Sequence, residues 1–139
     1  MLRVEEELRD LRRAIAVIAH RFGVLSEAGL CEAMRYVVEE VLGAARVQRW
    51  IHHDAEGLVY GYPARVEVDL VVRDGGHMLV EARSRASRGD VAELYRRGQL
   101  YERVARVRPR LVLVAGSVDP EAHEAAAGLG VEIKPAARE

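Results

Sequence analysis

The residues best suited to chemistry are two carboxylates, Asp69 and Glu81, on consecutive strand-like runs. Residues 65–73 read RVEVDLVVR and residues 77–83 read HMLVEAR. The Asp74-Gly75-Gly76 segment between them predicts a tight turn and an antiparallel hairpin. Alternation along the first run puts Val66, Val68, Leu70 and Val72 on one face, and Glu67, Asp69, Val71 and Arg73 on the other. Along the second, His77, Leu79, Glu81 and Arg83 share a face backed by Met78, Val80 and Ala82. Paired strands lie about 4.8 Å apart, so Asp69 and Glu81 come within a few ångströms of each other. Carboxylates that close repel unless a proton or a cation lies between them, and clustered hard oxygens are what Mg²⁺ takes. The competing arrangement is a solvated ladder in which Arg73 and Arg83 neutralise Glu67, Asp69 and Glu81. The valine content of both runs counts against it, because it suits the centre of a sheet, where charges seldom face water.

Immediately after the second run the charge changes sign. Residues 83–110 hold nine arginines and three acids, inside a chain whose net charge is −1. Such a block is the footprint expected of a phosphate-facing surface, or else of a heavily ion-paired one. Other candidate groups weigh less. His52-His53-Asp54 contains metal-compatible types, but adjacent residues point apart and no third ligand stands at a zinc spacing. His123 reads as surface and Cys31 as core. Trp50 and the five tyrosines are too dispersed in sequence for a base-stacking platform. The only glycine-rich turn near the acids joins two strands, so it is no phosphate cradle between strand and helix.

The elements that position these groups follow from periodicity. Val4, Leu8, Leu11, Ile15, Ile18, Phe22 and Leu25 form a heptad seam, which predicts a helix over residues 1–25 that wants a partner helix or its own domain's core. Ser26 and Gly43 bracket a second helix over 27–42. Residues 46–52 read as a strand, 53–57 as a turn and 58–60 as a short return strand. After the hairpin, a helix runs from Gly89 to about Val107 and ends before Pro109. Leu111–Ala115 reads as a strand buried on both faces. Asp119-Pro120 opens a last helix running to Gly128, and residues 131–133 make a final strand. The order is α, α, β, β, β, α, β, α, β, with a right-handed βαβ ending on a mixed sheet.

With these residues in place, the chain resembles the PD-(D/E)XK nuclease superfamily, whose motif is an Asp on one strand and (Asp/Glu)-x-Lys on the next. Here the motif is Asp69, eleven intervening residues, and Glu81-Ala82-Arg83. More narrowly, the heptad helix followed by RFGVLSEA, GYPARVEVDLVVRDGG and LVEARS is similar to small archaeal proteins of unknown function in that superfamily. The resemblance implies an α/β fold, a restriction-endonuclease-like mixed β-sheet core flanked by helices, over residues 26–139. It implies that Asp69, Glu81 and the Ala82 carbonyl ligate Mg²⁺ or Mn²⁺, with a helical glutamate completing the set. Glu27 lies with Leu30, Cys31 and Met34 on the core-directed face and is preferred to Glu32, although charge at a helix N-terminus also accounts for it. Gln99 resembles a glutamine that relatives place near the site, with Tyr95 and Tyr101 nearby as packing. The motif lysine is replaced by Arg83, which can grip a phosphate through two hydrogen bonds but does not lose its proton.

The resulting expectation is metal-dependent hydrolysis of DNA, with Asp69, Glu81, Arg83 and Gln99 at the reaction centre. Arg85, Arg88, Arg96, Arg97 and Arg103 guide the backbone, and the N-terminal helix forms a homodimer. The alternatives are a nuclease-fold module that binds DNA or a protein without cutting, and an assembly protein whose heptad helix is the functional part. At 139 residues and half apolar, the chain holds one core without disulfides, and its single cysteine suits a reducing cytoplasm. No apolar run of about 20 residues is present, so no membrane partner is expected. The absence of Asn and Thr, and 20 Arg against one Lys, fit a heat-adapted protein or a GC-rich genome.

Overall fold

The computed structural model describes residues 46–73 and 76–135. The two helices expected over residues 1–25 and 27–42, with Glu27, Cys31 and Glu32, lie outside the described residues, as do Asp74 and Gly75. The described chain runs β1 (Arg46–Asp54), β2 (Ala64–Arg73), β3 (His77–Ala86), α1 (Arg88–Ala105), β4 (Arg110–Val118), α2 (Pro120–Leu129) and β5 (Val131–Pro135). The strands form one sheet in the order β1-β2-β3-β4-β5. The β1–β2 and β2–β3 pairs are antiparallel, and the β3–β4 and β4–β5 pairs are parallel.

The parallel half follows from the two helices, because a parallel pair needs a crossover long enough to hold one. Successive crossovers of the same hand put both helices on one side of the sheet. There Leu79, Leu111, Leu113, Ala115 and Val131 meet Val91, Leu94, Leu100 and Tyr101 of α1 and Ala122 and Ala126 of α2 in one core. Gly98 lets α1 come close, since a Cβ there would stand 2.7 Å from Leu111 Cδ2. The opposite side of the sheet is buried as well, with Leu70, Val80 and Val112 fully inaccessible. This matches the unbroken apolar run of Leu111–Ala115.

Helix α1 starts one residue earlier than its pattern implies. Ser87 Oγ accepts from the Asp90 N–H at 3.2 Å while Asp90 Oδ2 accepts from the Ser87 N–H at 2.9 Å, a reciprocal cap. Asp119 stands at the N-cap position of α2 but its side chain makes no cap bond there. Its carboxylate instead takes both donors of Arg85, at 2.8 and 3.2 Å.

Two strand expectations are corrected. Residues 58–60 form a turn, not a return strand. The buried Asp54 carboxylate accepts from the Val59 N–H at 2.9 Å, and Gly57 and Gly61 adopt φ of 71° and 89°, so the chain coils and no ladder forms. Strict alternation along β2 also fails. Gln48 pairs with Val71 and Trp50 with Val68, so Asp69 and Leu70 together stand opposite Arg49 alone. This is a β-bulge, and it reverses the faces of β2. Val66 and Val68 join Val71 in the core under α1 instead of lying opposite to it. The β2–β3 ladder, which begins at Arg73–His77, ends at Leu70–Val80, immediately before the bulged aspartate.

Candidate active site

Where the ladder stops, the two acids replace it. Asp69 Oδ2 accepts from the Ala82 N–H and Glu81 Oε2 accepts from the Asp69 N–H, each at 3.1 Å. Side-chain oxygens thus satisfy backbone donors that the bulge has separated from strand carbonyls, which any buried N–H requires. The same bonds fix both carboxylates in orientation. Asp69 stays partly open, with 23% of its side chain exposed, while Glu81 is 2% exposed.

Glu81 is held by two guanidinium groups. Arg97 Nη1 from α1 lies 3.0 Å from Glu81 Oε1, and Arg83 Nη1 lies 3.2 Å from the same oxygen. Burial, and then the charge of Asp69, push the Glu81 carboxyl up to about 7, against the opposing pull of Arg97, Arg83 and the Asp69 N–H. Arg97 is itself 8% exposed and is anchored by Tyr60 Oη at 2.8 Å and by Glu93. Arg83 also reaches Asp90 on α1, Nε to Oδ1, at 3.6 Å.

One position in the site gathers oxygens from three groups. Arg83 Nη1 lies 2.7 Å from the Ala82 carbonyl, 3.2 Å from Glu81 Oε1 and 3.8 Å from Asp69 Oδ2. These groups supply hard oxygen donors, the set that suits Mg²⁺ or Mn²⁺ over softer ions. The donor chemistry therefore fits a divalent ion, and a cationic nitrogen of the chain's own stands among the donors. Among the described residues no three His, Cys, Asp or Glu side chains cluster as a metal site. Glu27 and Glu32 lie outside the described residues.

Several site expectations change in three dimensions. Gln99 is exposed and does not approach the acids. It lines a cavity of about 170 Å³ with Tyr95, Arg108 and Leu129 on the far side of α1. Arg97, two residues earlier and therefore about 200° around the helix, takes the inward place. Arg97 is correspondingly buried on Glu81 and is not on a surface open to nucleic acid. Arg96 Nε donates to the Val59 carbonyl at 2.7 Å, and Arg103 pairs with Glu56. Arg85 and Arg88 are exposed beside the α1 N-terminus, Arg85 in its pair with Asp119. Arg73 does not neutralise the acids, because its Nε reaches the Tyr101 hydroxyl at 3.3 Å. His52 stacks on Trp50 at 5.5 Å, and His123 is exposed. Tyr60 is not legible as a site residue, and Arg97 is legible only as one of the backbone-guiding arginines, not as the partner of Glu81. An inward arginine at helical spacing from Leu94 and Tyr101 is the one signal that marks Arg97, and a basic run hides it.

A mixed sheet with two helices on one face, and an Asp and a Glu crossing between antiparallel strands at a bulge, is the architecture of a restriction-endonuclease-like domain. Residues 64–132 match the family model described as the PD-(D/E)XK nuclease superfamily. Residues 1–63 match a family described only as a protein of unknown function, so β1 falls under one family model and its partner β2 under the other. No curated protein is detectably similar in sequence. Among solved structures, EndoMS in its apo form matches with a TM-score of 0.54 and 16% identity, over 83% of this chain and 48% of that one. A complex of EndoMS with dsDNA matches with a TM-score of 0.54 and 19% identity, over 79% and 44%. The chain therefore spans less than half the length of EndoMS, and the likeness is one of fold.

Proposed function

We propose that this protein is a divalent-metal-dependent DNA endonuclease hydrolysing phosphodiester bonds. The observation that carries the reading is the convergence of Asp69, Glu81 and the Ala82 carbonyl around a single cationic atom, Arg83 Nη1. Those three groups would hold Mg²⁺ or Mn²⁺, with Glu27 as the helical acid. A divalent ion supplies activation of water and neutralises charge building on the phosphate.

The chain's own residues do the rest. The N–H groups of Asp69 and Ala82 fix the two carboxylates before any ligand arrives, so the carboxylates themselves need little reorganisation. Arg97 balances Glu81 from the core side and leaves the outer side to the substrate. Arg83, released from the three oxygens, turns its planar fork toward a phosphate that it can hold through two hydrogen bonds. Arg85 and Arg88, exposed at the end of β3 and the start of α1, steer the DNA backbone. Residues 1–25 provide the contact between two copies, which sets two sites against strands of opposite polarity.

A second reading is favoured by the same clamp. If Arg83 is never displaced, the domain binds DNA or a partner protein without cutting. Incubation with supercoiled and branched DNA in Mg²⁺ or Mn²⁺, using wild type, Asp69→Ala and Arg83→Lys, separates the two. Cleavage abolished in Asp69→Ala and raised in Arg83→Lys supports the nuclease. Retention of DNA with no cleavage by any form supports the binding module, and neither binding nor cleavage leaves assembly through the N-terminal helix.

A further inference from the structure

The loop between β1 and β2 is built far more firmly than a surface connection requires. The Asp54 carboxylate is buried beneath it and accepts from the Val59 N–H. The Gly57 N–H donates to the Asp54 carbonyl at 3.3 Å and the Gly61 N–H to the Gly57 carbonyl at 2.9 Å. At Gly57 the backbone of Tyr62 passes so close that a Cβ would meet its nitrogen at 2.7 Å. From α1, Arg96 holds the Val59 carbonyl and Arg97 holds the Tyr60 hydroxyl. The product of all this is one exposed aromatic ring. Tyr62 is 62% exposed and stacks on Tyr60 with ring centroids 6.0 Å apart and an interplanar angle of 25°.

We infer that Tyr62 is a stacking site for a single unpaired or everted DNA base. The inference rests on the nuclease reading and adds the form of the substrate. Tyr60 links the ring to the acids, because Arg97 donates to its hydroxyl and contacts Glu81 at 3.0 Å. A ring fixed in advance loses little conformational freedom when a flat partner settles on it, and a nucleobase is the flat partner a nuclease meets. Charge agrees with a polynucleotide. Arg49 and Arg65, both largely exposed, share the one acid Glu67, leaving a positive margin beside β2. One ring, not a row, suits one base lifted from a duplex and not a long single strand. Of the five tyrosines, Tyr60 and Tyr62 are two residues apart in sequence, and their rings meet in the turn.

The test uses the full-length protein in EDTA and two DNA duplexes of one sequence, either fully paired or with one unpaired 2-aminopurine. Affinity is read by anisotropy and stacking by quenching of the 2-aminopurine. Tyr62→Ala is expected to weaken binding to the unpaired-base duplex between about 5- and 150-fold and to abolish the quenching. It should leave the fully paired duplex nearly unchanged, and Tyr62→Phe should behave as wild type. Equal affinity of Tyr62→Ala and wild type for the unpaired-base duplex, or equal losses on both duplexes, overturns the inference while leaving the nuclease reading intact. Wild type that binds neither duplex overturns both.

Discussion

Replacing Arg97 with methionine removes a buried cation from a buried carboxylate and keeps most of the apolar stem. Arg97 Nη1 lies 3.0 Å from Glu81 Oε1, and the two residues are 8% and 2% exposed. Breaking such a pair from one side costs about 3–5 kcal/mol, because the remaining charge is left without water or partner. Glu81 keeps Arg83 at 3.2 Å and the Asp69 N–H at 3.1 Å, which sets the loss at the low end, about 3 kcal/mol. For a domain of this size that corresponds to a fall in Tm of roughly 10 °C. The assay is a thermal and urea double-mutant cycle with Arg97→Met, Glu81→Met and both together, in EDTA. An apolar pair in place of the ion pair should restore most of the stability, leaving the double variant well above the sum of the single losses. A single Arg97→Met variant that loses under about 1 kcal/mol, or a double variant as unstable as that sum, refutes the account of Arg97 as the buried counter-ion of Glu81.

Three other outcomes follow from the same geometry. The Glu81 carboxyl rises from its ordinary 4.5 to about 7, so the folded state binds the proton more tightly than the unfolded one. Its contribution is present in full below about 4.5 and is lost as pH rises through about 7, by about 3 kcal/mol. Burial and Arg73 hold His77 below its ordinary value, which opposes this trend below about pH 6.5. The difference between wild-type and Glu81→Gln melting curves from pH 8 to 5 isolates the glutamate, and a flat difference contradicts it. Arg83→Met frees the three oxygens, and calorimetry should show Mn²⁺ binding roughly 10- to 100-fold tighter than in wild type, the worth of one or two charge-assisted hydrogen bonds. Unchanged Mn²⁺ affinity would mean that Arg83 does not compete for the position. Gly57→Ala forces a side chain onto a φ of 71° and against the Tyr62 backbone, and should cost about 2–3 kcal/mol in chemical denaturation. A loss within about 0.5 kcal/mol, as at an ordinary surface site, would show that the loop is not rigid.

Much of this protein is readable without coordinates, because short-range periodicity and turn chemistry act within a few residues. The RVEVDLVVR and HMLVEAR runs, with the DGG turn between them, specify a hairpin, and the alternation of apolar groups on the second run is found intact from Met78 to Ala82. Helix α1, the doubly buried run at Leu111–Ala115 and the Asp119-Pro120 start of α2 likewise follow from local rules. What alternation cannot contain is the extra residue at Asp69–Leu70, since a bulge exists only relative to the partner strand that skips it. That one residue ends the β2–β3 ladder and turns Asp69 and Glu81 onto each other's backbone. Nor can an arginine-rich helix declare which of its cations turns inward. Arg96, Arg97 and Arg103 are alike in type, and only the packing of α1 on the sheet makes Arg97 the buried counter-ion of Glu81 while Gln99 faces away. Residue type and spacing thus determined the hairpin, the later helices and strands of the described residues, and that Asp69 and Glu81 meet. The pairing of strands and the rotation of one helix decided what surrounds them, because both depend on contacts between segments that no local pattern records.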